Sequence, residues 1–142
     1  MTNERLEHET RAIKTILKEN EFKFLGFNTD KPYLIAAQQT NSGEIYTIKI
    51  DLSNSYPNFI PEAFIVNPRP LLTRSREPML GASHSMHTLP GKDGCVQVCH
   101  YGPRDWHPNV LLYKIILKIR VWLEAYEHHL KTGEPLNKYL SG

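Results

Sequence analysis

The chain has 142 residues, the size of one ordinary domain, and is long enough to bury a core without a disulfide or metal staple. With 40% hydrophobic and 23% charged residues its composition is globular rather than disordered, and no apolar run approaches the roughly 18 residues a membrane helix needs. Seventeen basic against fifteen acidic side chains leave a net charge of +2, too little to drive nucleic-acid binding by electrostatics alone.

The first residues, Met1-Thr2-Asn3-Glu4-Arg5, hold no signal-peptide core, and two cysteines without an export signal predict a reducing, cytoplasmic setting. From Asn3 to Glu19 the spacing predicts an amphipathic helix. Leu6, Ile13, Ile16 and Leu17 share one stripe, Asn3 is placed to cap it, and Glu4 and Glu7 suit the positive end of its dipole. Arg5, Arg11, Lys14 and Lys18 give this helix a basic side that either docks a partner or is simply solvated.

The period then changes. Phe22–Phe27, Tyr33–Ala37, Ile45–Ile50 and Ala63–Val66 are short runs rich in aromatic or β-branched residues, separated by turn chemistry such as Thr40-Asn41-Ser42-Gly43. They predict a four-stranded antiparallel meander, with Pro57 and Pro61 in the link before its last strand. Asn67 to Asn109 reads as a long irregular segment holding six prolines, both cysteines and four histidines, the kind of stretch that is usually functional or mobile. From Val110 the helical period returns through Leu112, Ile115, Ile116, Ile119, Trp122, Leu123, Tyr126 and Leu130, and Gly133 followed by Pro135 stops it. The expected architecture is α+β, a single domain over 1–142.

Three chemistries compete for the irregular segment. Cys99, beside His100 and near Arg104, has the neighbours of an activated thiolate, although a cysteine is more commonly a small buried hydrophobe. His84, His87, Cys95, Cys99 and His100 offer nitrogen and sulfur for zinc, but Cys-x3-Cys and His-x2-His lack the spacing of established zinc motifs, so no metal is assigned. An extended 95–99 segment separates the two Cα atoms by about 13 Å at 3.3 Å per residue, which disfavours a disulfide.

Three landmarks together resemble the ubiquitin-conjugating enzymes. Ile48–Leu52 leading into Tyr56-Pro57-Asn58-Phe59-Ile60-Pro61 resembles that family's third strand and Tyr-Pro-x-x-x-Pro element. Val98-Cys99 followed by Trp106-His107-Pro108 resembles its active-site cysteine and Trp-x-Pro. The order helix, meander, active-site loop, long helix is also similar. With Trp122–Glu127 and Lys131-Thr132-Gly133, the chain is more similar to a bacterial stand-alone branch found with cyclic-oligonucleotide-based anti-phage signalling (CBASS). That resemblance implies a cysteine-dependent acyl transferase without a cofactor. Cys99 would carry the C-terminus of a partner, a cGAS-like nucleotidyltransferase, as a thioester and pass it to lysines on target proteins. An activating enzyme would be a separate chain, docked in the family by the first helix.

The family's upstream His-Pro-Asn is replaced here by His84-Ser85-Met86-His87-Thr88, so His84 or His87 is the candidate for oxyanion or loop support. His-Pro-Asn itself occurs downstream as His107-Pro108-Asn109, where Asn109 is placed to cap the long helix. His100, Asp105 and His107 are candidates for steering or deprotonating an incoming amine, and Trp106 for a packing anchor. Two other readings stand beside the enzyme: a silent binding module of the same fold and a zinc-stapled adaptor. The terminal Ser141-Gly142 is a chemically suitable acyl donor, which makes self-conjugation a further, minor reading.

Overall fold

A computed structural model describes residues 1–140, so the Ser141-Gly142 donor lies outside the described residues. Helix α1 (Asn3–Ile13) is shorter than its hydrophobic stripe predicts, and its cap is Thr2, whose hydroxyl accepts from the Arg5 amide at 3.0 Å, rather than Asn3. Beyond Ile13 the chain tightens into turns, with the Ile16 and Leu17 amides both donating to the Ile13 carbonyl. Thr15 bends its hydroxyl back onto Ala12 O at 2.6 Å, a local bond that competes with continued helix. Ile16 and Leu17 still pack against the core from these turns.

The meander forms as expected: β1 (Phe22–Leu25), β2 (Tyr33–Gln39), β3 (Ile45–Asp51) and β4 (Glu62–Asn67). The strand count of four is nevertheless wrong, because Thr88–Lys92 and Cys95–Val98 form two further strands, β5 and β6, inside the segment read as irregular. The six strands of the described residues make one antiparallel sheet in the order β1-β2-β3-β4-β6-β5. Asp93 and Gly94, both at positive φ, close the β5–β6 hairpin with the two-residue turn that suits strand twist. Pro90 is tolerated because β5 is the sheet's edge.

Register explains where the core lies. Leu34, Ile50, Ala63 and Val98 line up across four strands, and Ala36, Ile48, Ile65 and Val96 form the next row. All eight are buried, and period-2 alternation puts them on one face of the sheet. Helix α2 (Leu112–Thr132) covers that face with Leu112, Ile115, Ile116, Ile119, Trp122 and Leu123. Leu130, assigned to the same stripe, is exposed instead, and His129 is the buried residue of that turn. Its Nε2 accepts from the Arg74 amide and its Nδ1 donates to Glu134 O. Gly133 at φ +78° ends the helix in the left-handed conformation. No helix is long and apolar enough to cross a membrane among the described residues.

Asn109 does not cap α2. Its amide donates to His107 Nδ1, and the N-cap position is Leu111, which has no capping side chain. The capping group comes from α1: the fully buried Glu9 accepts from the Leu112 amide at 2.8 Å. Its other oxygen takes the Arg5 guanidinium at 2.9 Å and the Tyr56 hydroxyl. Arg5 goes on to donate to the carbonyls of Pro108 and Val110. One carboxylate thus ties α1, the Tyr56 corner and the start of α2 together.

Candidate active site

Strand β6 delivers Cys99. Its four residues are all buried, paired to β4 on one side and β5 on the other, and Cys99 is the first residue beyond them. The Cys99 amide donates to His87 O at 3.0 Å, so the sulfur-bearing residue is held by backbone pairing just where the sheet ends. Cys99 is a free cysteine, and the residue is partly exposed. Cys95, at the other end of β6, is 4% exposed with its thiol turned toward Asp93 O, the small-hydrophobe role.

A cavity of about 440 Å³ opens at Cys99. The sequence candidates His87, His100 and Asp105 all line it, together with Gly102. His84 does not; its ring stacks on His87 with centroids 6.0 Å apart. His107 also lies elsewhere, accepting from the Asn109 amide.

His87 sits at φ +53°, a conformation rare for a residue with a side chain. Two contacts fix its carbonyl: the Cys99 amide and the Trp122 indole Nε1 at 3.2 Å. Partial burial first, then the neighbouring His84, hold the His87 imidazole below its ordinary pKa. A neutral imidazole keeps one N–H to offer an oxyanion.

His100 is anchored more tightly. Its Nε2 lies 2.8 Å from Pro61 O, and because a carbonyl only accepts, Nε2 carries the hydrogen. Nδ1 is the bare nitrogen, buried without a partner. Burial pushes the His100 pKa down to about 4, helped by the charge of Lys118 and opposed by the Pro61 bond. The ring is therefore neutral near pH 7 and acts as a wedge between β4 and the Cys99 loop.

The loop itself rests on aromatic packing. Trp106 donates to Pro57 O at 3.0 Å and packs between Tyr56 and Tyr101, the anchoring role expected of it. Asp105 closes a turn onto Gly102 O, leaving its carboxylate exposed at the cavity edge.

Sequence reasoning missed the opposite wall. Lys118 and Trp122 from α2 line the cavity, with Leu117 and Val121 exposed beside them at 44% and 56%. Tyr139 and Leu140 complete it, held there by a 3-10 turn (Leu136–Lys138) whose Asn137 amide donates to Ser85 O. A signal was present: Leu117 and Val121 are apolar at four-residue spacing but lie off the buried stripe. Among the described residues no three His, Cys, Asp or Glu side chains gather to hold a metal ion, so the zinc set proposed from composition does not assemble there.

No family model, curated protein or solved structure matches the chain.

Proposed function

We propose that this chain is a ubiquitin-conjugating-enzyme-like acyl carrier, with Cys99 forming a thioester to the C-terminus of a partner protein and passing it to an amine. The observation that carries this reading is a free, partly exposed cysteine just beyond the end of β6 that lines a cavity of about 440 Å³. The helix–sheet–helix order and the Trp106 anchor under the Cys99 loop are consistent with the family resemblance. The partner implied by that resemblance is a cGAS-like nucleotidyltransferase, loaded by a separate activating enzyme and conjugated to target lysines in anti-phage defence.

The chemistry divides a difficult acyl transfer into two easier ones. The Cys99 thiolate attacks the activated carboxyl terminus and expels its leaving group; an amine later attacks the thioester and expels the thiolate. Each step passes through a tetrahedral oxyanion, for which the His87 imidazole and the backbone amides of the Cys99–Gly102 loop are the available donors. Asp105, an exposed carboxylate at the cavity edge, is suited to orient an incoming ammonium. His100, neutral and with its bare nitrogen out of solvent, is assigned to shaping the loop instead.

The test is to incubate the chain with the candidate nucleotidyltransferase, an activating enzyme and ATP, and to follow intact mass with and without a thiol reductant. A reductant-sensitive adduct should appear, persist in Cys95→Ala and vanish in Cys99→Ala. A stable complex that never yields this adduct would instead make the protein a non-catalytic binding module.

A further inference from the structure

We infer that Lys118 is an internal acceptor, so that an acyl group carried on Cys99 is transferred to this chain's own α2 when no target amine arrives first. This rests on the thioester reading of Cys99 and adds to it a modification site.

Lys118 and Cys99 line the same cavity, one from α2 and one from the end of β6. The Lys118 ammonium lies 4.2 Å from the centroid of Tyr101, two residues after the cysteine, which holds the exposed amine against the Cys99 loop. A cavity of 440 Å³ is on the order of 10 Å across, within the sweep of a flexible four-carbon stem. Lys114, one turn earlier on α2, is exposed but is not part of the cavity wall. Leu117 and Val121, exposed apolar residues of α2, line the same cavity. Asp105 supplies a carboxylate in the same space.

The transfer balances without a further reactant. The ammonium gives one proton to Asp105, from which it passes to solvent. The neutral Nζ attacks the thioester carbonyl carbon, the new C–N bond forms and the C–S bond breaks. The second amine proton goes to the departing thiolate. The products are an amide at Lys118 and a free Cys99 thiol. Sharing one cavity makes the reaction intramolecular, and well-oriented neighbours react far faster than the same groups in solution.

The experiment loads the full chain with a short glycine-terminated peptide thioester and follows it by intact mass and peptide mapping. A reductant-sensitive adduct on Cys99 should decay into a reductant-resistant one that maps to Lys118. In Lys118→Arg the resistant product formed per Cys99 thioester should fall about tenfold or more. Resistant product that maps to Lys114 or scatters over lysines outside the cavity, or a thioester lost only to hydrolysis, overturns the proposal while leaving the thioester reading intact. Absence of any adduct on Cys99 overturns both.

Discussion

His100 shows how one buried side chain ties pH to stability. The unfolded chain protonates this imidazole near 6.5, whereas the folded protein resists until about 4, because burial disfavours the charged ring and Lys118 adds a like charge. Between those values the unfolded state binds the extra proton, so stability is complete above pH 6.5 and is lost as pH falls toward 4. The loss attributable to His100 is roughly 3 kcal/mol. Urea titrations at pH 7, 5.5 and 4.5 should show it, and NMR should find the His100 ring titrating near pH 4. A ring that titrates at its ordinary value would refute the account.

Among the elements, the join between α1 and α2 is made by a single buried carboxylate. Glu9 is wholly buried and serves three donors from three parts of the chain: Arg5, Tyr56 and the Leu112 amide. Burial first, then this carboxylate, push the Tyr56 phenol far above its ordinary range, so it stays a donor at any physiological pH. Glu9→Ala leaves the guanidinium and the first α2 amide without their acceptor and should cost about 3 kcal/mol or more, the scale of breaking a buried pair. Tyr56→Phe removes one neutral donor and should cost about 1 kcal/mol. Chemical denaturation of both variants checks the ranking; equal losses would mean that the carboxylate is not the centre of the network.

These elements were legible in the sequence to different degrees. Helix α2 and strands β1 to β4 were plain because their apolar residues recur at helical or alternating spacing. The hairpin of β5 and β6 was hidden by Pro90 and Gly91, although Asp93-Gly94 is a strong two-residue turn signal. Glu9 resisted reading because Arg5 and Glu9, four apart, look like an ordinary surface pair; what buries them comes from residues 56 and 112. Cys99, His87, His100 and Asp105 were nameable because they cluster in one stretch of chain. Lys118 and the Tyr139-Leu140 wall were not, since tertiary packing alone brings them there.

Across the molecule, Trp122 links the core helix to the site. Fully buried on α2, it donates to the carbonyls of Met86 and His87, and His87 O also receives the Cys99 amide. Trp122→Phe keeps most of the apolar bulk but frees both carbonyls from the indole. Hydrogen exchange at the Cys99 amide should accelerate more than exchange at Val96 or Val98, whose pairing lies within the sheet. Uniform acceleration would indicate general destabilisation and no specific link.

The segment after Gly133 crosses beside the 83–87 loop, pinned by buried Leu136 and by Asn137, and leaves Tyr139 and Leu140 on the rim above Cys99. An affinity handle spliced directly behind Leu140 would therefore begin at the mouth of the Cys99 cavity. Access to Cys99 is therefore best compared between chains with and without added sequence at that point.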